Sequence, residues 1–257
     1  MPKPRIGIYG LSSCAGDQLT ILNCEDELLE IASRVDIKSF IMAQTGNEET
    51  NIDLALVEGT VSTIRDLERL KEIRSRAAIL VAMGTCASWG GMYAMRNDIP
   101  RAEMIKGVYG EKGVEYSDSL PVPEVLPAQP LKNFVKVDLS IPGCPIEKKW
   151  FLRIFKSFLH GDIIELPSFP LCSECKMVEN ECLLVNSRLF CLGPVTIAGC
   201  KARCPSHNIP CIGCHGPVDE ANYAGEVNIL LDMGYTLEEI KRKMGIFVFN
   251  PNLEQIQ

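Results

Sequence analysis

The sequence predicts an α/β protein: a doubly wound, largely parallel sheet joined to a small, irregular, cysteine-rich domain. Three observations carry this reading. Early in the chain, short apolar runs alternate with stretches of helical periodicity, the pattern of a parallel sheet with crossover helices. Past Pro167 the segments shorten, and glycine, proline and cysteine abound. The twelve cysteines are also unevenly spread, with eight of them between Cys172 and Cys214. The expected division is 1–165 and 166–257.

In chain order, 6–9 reads as a first strand, followed by a helix over 18–34 with Leu19, Leu22, Leu28, Leu29 and Ile31 in helical register. Further strands are expected at 37–42, 52–57, 78–83 and 135–141, and helices at 61–74, 88–95 and 147–159. Pro121, Pro123, Pro127 and Pro130 make the approach to the last strand an extended connection, because proline fixes its own backbone and restricts the preceding residue. The order suggests a flavodoxin-like core of four or five strands. Near the end, Thr236 and Glu239 form the sequence signature of a capping box that opens a short helix. No internal repeat or low-complexity segment interrupts this plan.

The chain has 257 residues and a net charge of −7, with a pI near 5.2. That acidity argues against a nucleic-acid partner, which requires a basic face. No apolar run approaches the ~18 residues of a membrane span. The N-terminal MPKPRIGIYG lacks the layout of an export signal, so a cytoplasmic location is expected. Reducing cytosol disfavours disulfides, and clustered cysteines there point to metal or redox chemistry.

Four chemistry-bearing residues fall just after expected strands. Cys14 and Asp17 follow the first, in the stretch GLSSCAGD; Cys86 follows the strand ending at Met83; Cys144 follows the strand ending near Ile141. In an open parallel sheet these are carboxyl ends, where ligand sites collect at the topological switch point. A lone cysteine in such a turn is ordinarily a small buried residue, but three at corresponding positions point to a site. Gly10, Gly16, Gly84 and Gly143 would let backbone approach bound sulfur, or serve as plain turn glycines. GLSSCAGD has the shape of a Cys-x-x-Cys metal loop with aspartate in the second place, so Asp17 is the expected fourth ligand. Cys24, seven residues further on, is the alternative. Glu58 sits at the same edge and, taken alone, reads as a solvated carboxylate.

The remaining eight cysteines run Cys172, Cys175, Cys182, Cys191, then Cys200, Cys204, Cys211, Cys214, with a Cys-x-x-Cys pair opening and closing the set. Two four-cysteine metal sites follow from this spacing. Structural zinc takes four cysteines too. Iron–sulfur clusters are favoured because Pro205 follows Cys204, the ligands are spread out, and a third cysteine site lies in the other half. His207 and His215 flank the last group; each reads as a solvated loop residue, or less simply as an additional donor.

Taken together, Ser-Cys14-x-Gly, Gly-Thr-Cys86-Ala, Ile-Pro-Gly-Cys144-Pro, Cys191-Leu-Gly-Pro-x-Thr and Pro-Cys211-Ile-Gly-Cys214 resemble the small, electron-transferring subunit of nickel–iron hydrogenases over about residues 5–220. The resemblance implies three 4Fe–4S clusters. A proximal cluster would sit on Cys14, Asp17, Cys86 and Cys144, a distal one on Cys172, Cys175, Cys182 and Cys191, and a medial one on Cys200, Cys204, Cys211 and Cys214. Periplasmic and membrane-bound members carry a twin-arginine signal and a histidine as first distal ligand. Neither is found here, where Cys172 stands in the histidine position. These features resemble the delta subunit of cytoplasmic NADP-linked hydrogenases, or sulfhydrogenases. The implied partners are a nickel–iron large (alpha) subunit, a flavin subunit binding FAD and NADP(H) (gamma), and a further iron–sulfur subunit (beta). The implied function is electron relay between the nickel–iron site and the flavin subunit, with sulfur or polysulfide reduction as a further activity of the complex. Trp89, Met92 and Tyr93 are then expected to face the large subunit.

Overall fold

A computed structural model of the chain describes residues 2–116, 125–162 and 165–247. Strand β1 (Arg5–Gly10) leads into helices α1 (Gly16–Leu22) and α2 (Glu25–Arg34). Strands β2 (Asp36–Phe40), β3 (Ile52–Glu58) and the short β4 (Val61–Thr63) follow, then α3 (Ile64–Arg76), β5 (Ala77–Met83), α4 (Gly84–Trp89) and α5 (Arg101–Tyr116). Beyond them come β6 (Val125–Gln129), β7 (Leu139–Ile141), α6 (Lys148–His160), α7 (Leu171–Met177), α8 (Tyr223–Asp232) and α9 (Leu237–Met244).

The main sheet has five strands in the order β2-β1-β3-β5-β7, all parallel. This is the expected flavodoxin-like doubly wound arrangement. Side chains alternate between the two faces, as strand geometry requires. Ile6, Ile8, Leu54, Leu56, Val81 and Met83 meet Ile21, Ile31, Phe151, Ile154 and Phe155 on one side. Tyr9, Ala55, Val57, Leu80 and Ala82 meet Leu70 and Ile73 on the other. With both faces covered, the central strands β1, β3 and β5 are apolar over most of their length.

Several expected elements are redrawn. The helix over 18–34 is two helices, broken at Asn23–Cys24. Glu25, Asp26 and Glu27 open the second, where acidic groups suit the positive end of a helix dipole. The helix expected from 61 starts at Ile64, because Thr63 caps it by accepting the Asp66 N–H (3.1 Å). Val61–Thr63 pair instead with β6, antiparallel. The helix expected over 88–95 is α4 followed by a 3₁₀ turn at Gly91–Arg96. The last strand begins only at Leu139, since the Asp138 carboxylate receives the Leu80 N–H (2.9 Å) in place of a backbone carbonyl. Pro121 and Pro123 lie outside the described residues.

The cysteine-rich part contains more regular structure than its sequence suggests. Helices α7 and α8 were not legible as periodic runs. They join α9 in a second apolar core made of Leu171, Leu184, Phe190, Leu192, Val195, Val227, Leu230, Ile240 and Met244. The capping box at Thr236 and Glu239 is complete, each side chain accepting a hydrogen bond from the other residue's backbone N–H. Among the described residues, no helix is long and apolar enough to cross a membrane.

Candidate metal centres

The parallel sheet turns its carboxyl edge into a site. Cys14 lies in the β1–α1 turn, Cys86 in the first turn of α4 directly after β5, and Cys144 after β7, so three crossovers deliver three thiols to one place. The thiols sense one another. Burial first, then the negative charges of Cys144, Asp17 and Cys14, push the Cys86 thiol up to about 12. Burial, Asp17 and Cys14 likewise push Cys144 up to about 11.

Asp17 belongs to this group and Cys24 does not. The Asp17 carboxyl is 5% exposed, and its Oδ1 accepts the Ile146 N–H (2.8 Å). Burial, followed by the neighbouring Glu58, raises its pKa to about 7. Cys24 instead sits fully buried among the core residues on one face of the sheet. Its thiol donates to the Thr20 carbonyl (3.4 Å).

Glu58 departs from the expected solvated carboxylate. It is 1% exposed and accepts from the backbone N–H groups of Asp17 (3.2 Å) and Gln18 (3.3 Å) and from Gln18 Nε2 (2.9 Å). It therefore holds the start of α1, and with it Asp17, against the strand end. A single sequence gives no signal for this, since Glu58 is drawn in by amides 40 residues or more away.

The eight later cysteines fall into two further sets. Burial first, then Cys191, Cys175 and Cys182, push the Cys172 thiol up to about 12. Burial, followed by Cys200, Cys204 and Cys144, pushes the Cys214 thiol up to about 12. Burial also raises Cys211, held down in part by the Gly213 N–H and the Thr196 hydroxyl. All twelve cysteines are free. Among the described residues, no three Cys, His, Asp or Glu side chains are close enough to grip one metal ion.

Buried thiols that raise one another's pKa are poor nucleophiles and good sockets for a cationic metal body, which deprotonates the sulfurs it binds. Glycine makes room for such a body. A Cβ at Gly91, where φ is +57°, would lie 2.5 Å from the Cys86 sulfur, and one at Gly193 would lie 3.3 Å from that of Cys172. Of the four glycines singled out in the sequence, Gly16 is one where a Cβ would meet a sulfur, that of Cys14 (3.3 Å), while at Gly84 it would run into the Asp17 carboxylate. The donor set and its surroundings thus fit iron–sulfur clusters.

The three sets are tied together. The Cys144 backbone lies close enough to the Cys214 sulfur to hold its pKa down in part, and the Cys211 N–H donates to the Cys191 sulfur (3.3 Å). The loop bearing Cys200 is pinned to both halves: Trp150 Nε1–H donates to the Gly199 carbonyl (2.9 Å). The Glu174 carboxylate accepts from the Gly199 (3.0 Å) and Lys201 (2.8 Å) amides. His215, expected in solvent, is 2% exposed, and its Nδ1 lies 3.3 Å from the Ala198 carbonyl. Burial lowers its pKa, so the ring is held neutral. His207 is exposed, as expected. Glu226 on α8 was missed altogether. It is 2% exposed, neither carboxylate oxygen has a hydrogen-bond partner, and its charge reaches Cys172 and Cys191.

A doubly wound sheet with cysteines at its carboxyl edge, followed by a cysteine-rich module, defines an iron–sulfur subunit of an oxidoreductase. Residues 14–158 match the family model described as NADH ubiquinone oxidoreductase, 20 Kd subunit. The chain is 37% identical to sulfhydrogenase 2 subunit delta of Pyrococcus furiosus, over 95% of this chain and 98% of that protein. It is 32% identical to a subunit of the F420-non-reducing hydrogenase vhu from Methanocaldococcus jannaschii, over 94% of this chain and 92% of that protein. A solved NAD+-reducing [NiFe]-hydrogenase in its H2-reduced state contains a chain that superposes with a TM-score of 0.57 at 28% identity, covering 64% of this chain and 96% of that one. The chain belongs to this family and, within it, to the small subunits of nickel–iron hydrogenases.

Proposed function

We propose that the chain relays electrons between a nickel–iron large subunit and a flavin subunit that meets NADP(H), through three 4Fe–4S clusters. Cys14, Asp17, Cys86 and Cys144 would hold the proximal cluster. Cys200, Cys204, Cys211 and Cys214 would hold the medial one, and Cys172, Cys175, Cys182 and Cys191 the distal one. When bound, each cluster takes up and gives back one electron. The division into 1–165, with the proximal site, and 166–257, with the other two, follows the same assignment.

The observation that carries this reading is the linkage of the three sets in a row. Cys144 reaches the sulfur of Cys214, and Cys211 reaches the sulfur of Cys191. The order is therefore sheet edge, Cys200 group, Cys172 group. At the far end Cys182 is exposed, where an electron can leave for a partner. At the near end Met92 and Met95 are about half exposed (50% and 46%). Tyr93 is close enough to feel Cys86 and Cys14. That apolar surface supports docking of the large subunit over the sheet edge, with Asp17 as the one carboxylate among eleven cysteine ligands.

One relative is a sulfhydrogenase subunit named delta, which supports a complex of several different subunits. A flavin (gamma) and an iron–sulfur (beta) partner, a cytoplasmic location and sulfur reduction as a further activity complete the reading. Hydrogen-dependent reduction of NADP by the complex purified with its co-encoded partners tests the proposal. Activity with NADP is expected. A complex that takes up hydrogen yet leaves the iron of this chain oxidised would contradict it.

A further inference from the structure

We propose that Thr85 is a positioning residue that fixes the separation of the sheet-edge cysteine set from the Cys200–Cys214 set, and with it the rate at which an electron passes between them. The proposal rests on the relay reading above.

Thr85 is 1% exposed and immediately precedes Cys86. Its backbone N–H donates to the Gly143 carbonyl (2.8 Å), and its hydroxyl oxygen accepts the Gly143 N–H (3.3 Å). The same hydroxyl donates its proton to the Cys214 carbonyl. One side chain thus joins the loop of Cys86, the loop of Cys144 and the turn of Cys214, its partners lying 58 and 129 residues away in sequence. The Cys214 carbonyl is thus held to the sheet edge through Thr85. Other buried hydroxyls nearby do not span the two sets. Thr60, for instance, donates to Gln129 within the sheet domain (2.7 Å).

The hydroxyl matters because of what it satisfies. A buried carbonyl stripped of its partner moves to find another or pays a desolvation penalty, and here the carbonyl belongs to a cysteine. Valine has nearly the same shape as threonine and neither donates nor accepts. Electron passage is steeply sensitive to spacing, as proximity-dependent steps generally are. One electron leaves the sheet-edge set and one arrives at the Cys214 set; no bond is made or broken at Thr85.

The test compares Thr85→Val, Thr85→Ala and Thr85→Ser in the complex with its large subunit. Hydrogen–deuterium isotope exchange at the nickel–iron site needs no onward electron transfer and is expected to be unchanged in all three. Hydrogen-driven reduction of the later clusters, followed by rapid-freeze EPR, is expected to slow by about ten- to a hundredfold in the valine and alanine variants, with the serine variant close to the parent. The magnetic splitting between the first two reduced clusters should weaken in parallel. A valine variant with full iron content and the parental rate and splitting would overturn the proposal, as would equal losses in serine and valine. Assembly by serine alone would itself place the seam on the hydroxyl. A parent complex without iron would overturn the relay reading and this proposal together, so the two failures are told apart by iron content.

Discussion

The two halves of the molecule bring cysteines together by opposite means. In the first, the apolar sheet is complete in itself and the three thiols of the site are passengers on its turns, Cys24 alone lying in the core. Both faces of β1, β3 and β5 are buried, and Cys14, Cys86 and Cys144 stand where any open parallel sheet gathers ligands. In the second, the thiols are part of the packing. Cys191 and Cys211 are buried within the same apolar cluster as Leu192, Val195 and Leu230. A site placed on a finished scaffold should survive loss of its metal. A site woven into its own core should not.

Removing the iron breaks that comparison most sharply. Chelation under reducing conditions is expected to strip amide-exchange protection from the segment around Cys172–Cys214, while β1, β3 and β5 stay protected, because metal binding there is also folding energy. Equal protection in both halves after iron removal would show that α8 and α9 suffice without it.

The next largest effect concerns Glu226. Burial raises its pKa from the ordinary 4.5 to about 7, so the folded state holds this proton more tightly than the unfolded one. The stability this contributes is fully present below the ordinary value and is lost as pH rises through 7. Glu226→Gln should therefore stabilise the protein more at pH 8 than at pH 5, by about 2–3 kcal/mol. Denaturation midpoints of parent and variant at the two pH values measure this difference. A pH-independent difference would place a counter-charge beside Glu226.

Trp150→Phe acts on the joint between the halves. It removes the indole N–H from the Gly199 carbonyl and is expected to cost about 1 kcal/mol. Its sharper signature is a single unfolding transition separating into two. Smallest is Thr236→Ala, which deletes the complete capping box of α9 and should cost about 1 kcal/mol or less in the cysteine-rich half alone. Thermal unfolding followed at Trp89, the tryptophan that both variants keep, against far-ultraviolet ellipticity separates these two.

The same contrast governs how much could be read from the sequence. Strand order, the cysteine positions at strand ends and the capping box are local patterns, and local patterns were enough to place them. The break at Cys24 was hidden because Leu22 and Leu29, seven residues apart, keep helical spacing across it. Helix α5 was hidden because Gly107, Gly110 and Gly113 interrupt it and it has no continuous apolar face; Gly110 kinks it with φ 72°. Glu58 was legible as a residue at this edge but not as a buried one, and the roles of Thr85 and Glu226 carry no signal in the sequence. Their roles depend on partners distant in sequence, and only the folded chain brings those together. Asp17 was legible by spacing, but its burial and its bond to Ile146 were not.

The central claim is that twelve residues, eleven of them cysteine, hold three four-iron clusters, with Asp17 the exception in the sheet-edge set. Metal content of the complex purified without added metal, with the iron and zinc assigned to this chain and EPR spectra recorded through a stepwise reduction, tests it most directly. About twelve iron atoms per chain and no zinc are expected, with three signals of which Asp17→Cys alters only one. Stoichiometric zinc in a colourless chain, or spectra untouched by Asp17→Cys, would contradict it.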